Sequence, residues 1–575
     1  MRRFNSKPKN YTYIIEGIHI NKSLLKKYLN KEGQKKLAII NDLSQLSTKT
    51  DNELLKVLEQ MMKSKQYLKY CSSLLININP GPNYIYNYLN LKNWISSSSL
   101  VKNAPEKNPH LYSFMKYVYD AMIKENKDQV VNILGPIGSG KTFNLIHIIE
   151  YFTAMYGPNN YQTELFELFH NSIQLIHIFG SIYRETNIES TACGLLINLG
   201  FNQNNVICSF GIEPQILDFS LPFSENGRSF SILHAFIKGA NDELKKCCKV
   251  PESDEYLSFF NKFLSKFSEK IREKLTLNDL EIWNRFYSLS KFFNFTPDEI
   301  IDIMKCLALI LNLNELTISK VQVIEKKKKN EEKDEKVKNE KEKKEKIDKK
   351  DKSARKDKSE KKEMDDITDE ENNEKEKNEI KEFFEIQKGK TFKKICDNLN
   401  IKIEDFLKCL YRFKTLREAK TFIISFMKQT YYIVFDFVLS KIRDHVDLFF
   451  THLNKRIGTN NFKRRKNIYF IDFPADIEDK TLGGFTINIA NECLNMYSAS
   501  GFYEISEKLI RENINLHKFY PIKSYFAVST CMEKGGLLEH FTKQLNKQNY
   551  NSLVNNCVSK KNFMNCIKFK EKKNI

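Results

Sequence analysis

Residues Gly135-Pro136-Ile137-Gly138-Ser139-Gly140-Lys141-Thr142 fit the spacing G-x-x-x-x-G-K-[S/T]. Glycines at those places let the backbone wrap closely around an anion with its N–H groups turned inward. A helix that starts directly afterwards adds its positive end. Lys141 would reach the β- and γ-phosphates of a nucleotide, and the Thr142 hydroxyl would take a Mg²⁺ position. A glycine-rich turn could match by chance, so context matters. The apolar run VVNIL (residues 130–134) feeds into the loop, and FNLIHIIEYF continues from it at helical spacing.

The elements that must position such a loop are legible on both sides. A second strand-like run, NIYFID (467–472), ends in an acidic residue, Asp472. PDEIIDIMKCLALILNLNEL and IEDFLKCLYRF carry apolar residues at helical spacing, and KTFIISFMKQTYYIVFDFVLSKIRDHVDLFF reads as a long, largely buried helix. Helices alternating with short apolar strands predict an α/β core around a mainly parallel or mixed sheet. Between residues 325 and 382 lysines and acidic residues interleave densely and few residues could reach a core. Burial there cannot offset the entropy of ordering, so a disordered or partly helical, coiled-coil-like surface insertion is expected. The organisation read from the chain is a basic extension over 1–45, a core over 46–324, the insertion over 325–382, and a continuation of the core over 383–575.

Composition bounds the rest. Of the 575 residues 41% are hydrophobic and 12% aromatic, enough for a sizeable core. The 12 cysteines show no C-x-x-C spacing, which predicts reduced thiols, with a structural zinc site as the alternative. The N-terminus lacks an apolar h-region and no uninterrupted apolar run approaches a membrane span. A cytoplasmic protein without a transmembrane segment is expected. The net charge of +20 calls for a polyanionic partner: nucleic acid, acidic lipid or an acidic filament.

Further landmarks surround the loop. Leu74-Leu75-Ile76-Asn77-Ile78-Asn79-Pro80 and Asn108-Pro109-His110-Leu111-Tyr112 precede it. Phe179-Gly180, then Asn187-Ile188-Glu189-Ser190-Thr191-Ala192-Cys193-Gly194, follow it. Next come Asn226-Gly227-Arg228-Ser229-Phe230, Ile237-Lys238-Gly239-Ala240 and Phe485-Thr486-Ile487-Asn488-Ile489-Ala490-Asn491-Glu492-Cys493-Leu494. In this order the chain resembles the heads of myosins. Their pattern has an apolar strand ending in Asn-Pro, a Pro-His helix start, a switch I element N-x-N-S-S-R-F-G, and a relay helix opening F-C-I-N-Y-x-N-E. The resemblance implies a P-loop NTPase core with helical subdomains around it, ATP and Mg²⁺ as cofactors, an actin filament as partner, and a cytoskeletal location.

Carried over residue by residue, the resemblance assigns Lys141, Ser190 and Asp472 to catalysis and Thr142, Thr191 and Asp472 to Mg²⁺. Nucleotide binding falls to Asn79, Pro80, the loop 135–142, Asn187, Ser190 and Ala475. Three departures from the pattern bear on the chemistry. Ala192 stands where switch I has its Arg. Switch II, D-I-x-G-F-E in the family, reads Asp472-Phe473-Pro474-Ala475-Asp476-Ile477, so Ile477 replaces its Glu, although a shift of one register would bring up Glu478. Gly81 stands where a Tyr usually lies beside the purine. Losing one member of a buried ion pair typically costs about 3–5 kcal/mol, whereas losing both removes that penalty together with the latch. Binding is therefore expected to survive and hydrolysis to be impaired, because phosphoryl transfer depends on positioning. After Met532-Glu533-Lys534-Gly535-Gly536-Leu537-Leu538-Glu539 the resemblance gives out, and a head truncated before the converter and lever is expected. Two other readings remain open at this point: a nucleotide-binding scaffold without motility, and a different P-loop ATPase acting on nucleic acid, for which no base-reading feature is evident. The oligomeric state is not legible.

Overall fold

The computed structural model describes residues 12–18, 42–43, 51–64, 66–71, 74–79, 89–96, 109–184, 187–219, 228–250, 268–316, 318–324, 380–387, 389–457, 466–474, 482–498 and 531. The short apolar runs become strands: β1 (Thr12–Ile18), β2 (Leu68–Cys71), β3 (Leu74–Ile78), β4 (Gln129–Leu134), β5 (Ser181–Arg184), β6 (Asn187–Thr191), β7 (Cys193–Phe201), β8 (Ile207–Leu217), β9 (Ile318–Ile324), β10 (Ile380–Ile386) and β11 (Lys466–Asp472). One 7-stranded sheet runs in the order β2-β3-β1-β4-β11-β7-β8. Its inner strands β3, β1, β4 and β11 are parallel, β2 pairs antiparallel with β3, and β7 pairs antiparallel with β11 and with β8. Strands covered on both faces read as near-continuous apolar runs. That accounts for LLINI and VVNIL, in which Leu75, Ile76, Ile78, Val131 and Ile133 are all buried.

One strand departs from the sequence reading. Residues 1–45 read as an extension outside the core, yet Thr12–Ile18 lies in the middle of the sheet. It pairs Ile14 with Leu74 on one side and Thr12 with Val130 on the other. A lone seven-residue strand whose partners lie some 60 and 120 positions away has no local signature beyond its own apolar residues. The rest of 1–45, apart from Asp42 and Leu43, lies outside the described residues.

The helices are α1 (Asp51–Ser64), α2 (Leu91–Ser96), α3 (Leu111–Glu125), α4 (Lys141–Tyr156), α5 (Gln162–Gly180), α6 (Ser231–Gly239), α7 (Asp242–Cys247), α8 (Glu269–Phe292), α9 (Pro297–Asn314), α10 (Lys390–Leu399), α11 (Ile403–Leu410), α12 (Leu416–Ile457) and α13 (Leu482–Ser498). His110 starts α3 by accepting a hydrogen bond from the Tyr112 amide, and Asn126 ends it in the left-handed conformation. Helices α3 and α4 pack on β4 and β11. Between them Tyr112 and Tyr151 stack, with Trp94 edge-on to both.

The chain divides into two units. Residues 1–311 with 428–575 form the first, which holds the large sheet, and 312–427 form the second. In the second, β9 and β10 make an antiparallel pair, Phe384 stacks on Tyr411, and Phe392 meets Phe406 between α10 and α11. The charged stretch read as an insertion falls, over 325–379, outside the described residues. By length and composition α12 could cross a membrane. In the first unit, however, its Tyr431 is fully buried, donates a hydrogen bond to the Phe179 carbonyl and stacks on Phe230. Core packing explains its apolar face. Every described cysteine is a free thiol.

Candidate functional site

The parallel strands β3, β4 and β11 end on one edge of the sheet, the edge at which open α/β sheets receive ligands. Beyond them come Asn79, the loop 135–142, and Asp472, the last residue of β11, whose register partner is Ile133. Strand β7 runs the opposite way, so its start arrives at this same edge, with Leu195 paired to Asp472. Topology thus gathers four segments distant in sequence.

In the loop, Gly135, Gly138 and Gly140 have φ of 143°, 77° and 88°, a region that residues with a Cβ rarely adopt. Gly140 is the N-cap of α4 and offers no side-chain cap, which leaves the helix start open to an anion. The loop is braced from behind. Asn79 Nδ2 donates to the Gly138 carbonyl at 2.7 Å. Buried Asn77 donates to Asn144 Oδ1 at 2.6 Å, and Asn144 Nδ2 donates to the Gly140 carbonyl at 2.8 Å. Lys141 Nζ folds back on the loop, donating to the Gly135 carbonyl at 2.8 Å and to that of Pro136 at 3.3 Å. Ser139 Oγ is buried without a partner among the described residues.

The Thr142 hydroxyl donates to Asp472 Oδ2 at 2.8 Å and lies 3.3 Å from Thr191 Oγ1. Asp472 is buried, and burial pushes its carboxyl up to about 6 against the opposing pull of Lys141 and the Thr142 hydrogen bond. Two hydroxyls and one carboxylate are hard oxygen donors, a set that suits Mg²⁺ better than a soft metal. The orphaned Ser139 hydroxyl, the open helix start and the nearby ammonium suit phosphate oxygens. The residues present therefore fit the cofactors expected from the sequence.

Strands β5 and β6 pair Ser181 with Thr191 and Ile182 with buried Ser190. Asn187 opens β6. Ala192 is buried between two backbone bonds, its N–H to the Gly180 carbonyl and its carbonyl to the Asp218 N–H, each 2.7 Å. Gly194 lies so close to the segment after β11 that an added Cβ would meet Pro474 Cδ at 3.0 Å. The Asn491 side chain on α13 donates to the Pro474 carbonyl at 2.8 Å, and Ile487 packs on Phe473. Pro80, Gly81, Ala475, Ile477 and Glu478, and the 532–539 segment, lie outside the described residues.

Sequence reasoning brought forward Asn79, the loop, Thr191 and Asp472, which the fold gathers. It did not single out Asn144, Asn77 or the Glu189–Arg285 pair. Asn144 follows Lys141 by one helical turn, a signal that could have drawn attention to it.

Comparison with known proteins matches residues 40–404 to the myosin head (motor domain) family. Among curated relatives, Myosin-1 of Saccharomyces cerevisiae is 26% identical over 313 residues, 51% of this chain and 16% of the relative. Myosin-I heavy chain of Dictyostelium discoideum is 26% identical over 284 residues, 48% of this chain and 11% of its own length. Unconventional myosin-Ia of Homo sapiens is 22% identical over 292 residues, 49% of this chain and 26% of that protein. The chain thus matches less than a third of the length of each. With more than half of its residues matched to the one family model, the chain belongs to the myosin head (motor domain) family.

Proposed function

We propose that this chain is a nucleotide-binding myosin-type head that takes up Mg·ATP and turns it over slowly. The observation that carries the reading is the meeting of Thr142 with both Thr191 and Asp472 at the start of α4, beside Lys141. Lys141 would exchange its two carbonyl partners for the β- and γ-phosphates. Thr142 and Thr191 would offer hydroxyls to the cation, with Asp472 behind them, and Ser190 would face the γ-phosphate. Bound Mg²⁺ supplies charge neutralisation of the phosphate oxygens.

The slow turnover is inferred from Ala192, which brings no cation to the place where the family has its arginine. A nucleotide-binding scaffold without motility is the reading favoured if this loss is complete. By the family resemblance the partner is an actin filament and the location cytoskeletal. The P-loop core and its surrounding helices are part of the same proposal.

Equilibrium binding of a fluorescent ATP analogue with and without Mg²⁺ tests the site. Lys141→Ala should weaken binding about tenfold to hundredfold, the worth of a hydrogen bond to a charged group. A wild-type chain that binds no nucleotide would end the reading. Single-turnover phosphate release separates motor from scaffold, and Ala192→Arg together with Ile477→Glu should raise that rate. Co-sedimentation with filamentous actin, with and without ATP, tests the partner.

A further inference from the structure

Switch I departs from the family pattern before Ala192 as well. Glu189 stands at the second Asn of N-x-N-S-S-R, on β6, immediately before Ser190 and two residues before Thr191. Its carboxylate faces two helices. It accepts a hydrogen bond from Arg285 of α8 at 2.7 Å, and its second oxygen lies 3.7 Å from His177 Nδ1 of α5. The other arm of Arg285 donates to Gln174 Oε1 on α5 at 3.3 Å. One guanidinium thus ties β6 to two helices that pack on each other. Among the described residues strand β6 pairs only with β5, in a two-stranded sheet, so little described backbone pairing restrains it.

We infer that Glu189, held by Arg285, is a positioning residue for the Ser190 and Thr191 hydroxyls, restraining switch I from the helix side in a chain that lacks the Arg at 192. The inference rests on the reading of the preceding subsection. A planar guanidinium that bonds two side chains on separate elements fixes direction as well as distance. The pair acts through orientation, since Glu189 and Arg285 are both partly exposed and their pairing adds little stability.

The test uses the full chain with Glu189→Gln, Arg285→Met and Arg285→Lys. Affinity for the fluorescent ATP analogue is measured in Mg²⁺ and in chelator. Glu189→Gln and Arg285→Met should each weaken the Mg²⁺-dependent affinity about tenfold to hundredfold, the usual effect of losing a support behind a metal ligand. Affinity in chelator should not change, and Arg285→Lys should keep most of the Mg²⁺ effect. Equal losses with and without Mg²⁺, or no loss, overturn the inference. Hydrogen exchange of the nucleotide-free protein decides independently. Glu189→Gln should speed exchange of the Asn187–Thr191 amides, and unchanged protection overturns the inference. A wild-type chain that binds no nucleotide ends the earlier reading, while the exchange arm still decides whether Glu189 restrains the strand.

Discussion

The Thr142 hydroxyl donates a 2.8 Å hydrogen bond to the Asp472 carboxylate across a separation of 330 residues. The contact joins the first turn of α4 to the end of β11, two elements brought together by the parallel pairing of β4 and β11. Local sequence places a hydroxyl and an acid at element ends. Their meeting is a property of the sheet.

Asp472→Asn should separate stability from function. An ionised carboxylate at this depth is disfavoured by burial, and a rise from 3.8 to about 6 corresponds to roughly 3 kcal/mol. Asparagine removes that cost, so the nucleotide-free protein should unfold at equal or higher denaturant concentration. The Mg²⁺ dependence of nucleotide binding should disappear. A variant that unfolds earlier would contradict the electrostatic account.

A second prediction concerns Arg228 and Asp279, a buried ion pair with two bonds of 2.6 and 2.5 Å. Burial pushes the Asp279 carboxyl up, while Arg228 holds it down. The pair pins the segment before α6 to α8. Asp279→Ala strands a guanidinium whose Nε and Nη1 have no other partner among the described residues, and should destabilise by about 3–5 kcal/mol. Arg228→Met with Asp279→Leu should recover most of the loss. Denaturant unfolding of the two variants beside the unsubstituted chain checks this.

Gly239 ends α6 where α8 crosses it. A Cβ there would lie 2.2 Å from Trp283 Cγ, so the ring occupies the space a side chain would need. Gly239→Ala should destabilise by about 1–3 kcal/mol through overpacking. Thermal melts of Gly239→Ala and of Gly239→Ala with Trp283→Leu would show the loss and its partial relief. No loss in the single variant would mean that the helices separate freely.

His234 on α6 is buried, and burial first, then Arg228 and Lys238, push its ring well below 6.5. The folded protein keeps it neutral, while the unfolded chain takes up a proton as pH falls through 6.5. Stability from this group is therefore present above 6.5 and lost below it, by at most about 1.4 kcal/mol per pH unit. His177 and His445 share its sign, whereas Asp472 acts in the opposite direction. His234→Gln should flatten the acid side of a pH–stability profile. A profile unchanged by the substitution would refute the assignment.

What was legible locally was extensive. The spacing of Gly135 to Thr142, the apolar run of β4, the acid closing β11 and the long apolar helix α12 all stand in contiguous sequence. There periodicity and backbone geometry act over a few residues. Less legible was β1, whose hydrogen-bond partners belong to β3 and β4. The Glu189–Arg285 pair was also hidden, because residues 96 positions apart share no periodicity.

By itself the sequence determined the glycine turn over 135–140 and the helix behind it, because glycines, a lysine and a hydroxyl at set intervals dictate their own local conformation. It also determined that an alanine, Ala192, stands where the family resemblance expects the switch I arginine, since an identity cannot be altered by packing. Only the tertiary structure decided that Thr191 and Asp472 converge on Thr142, that Asn77 and Asn79 brace the loop, and that Arg285 takes hold of Glu189. Such contacts arise when strands choose neighbours and helices pack, and that choice depends on the burial of the whole chain.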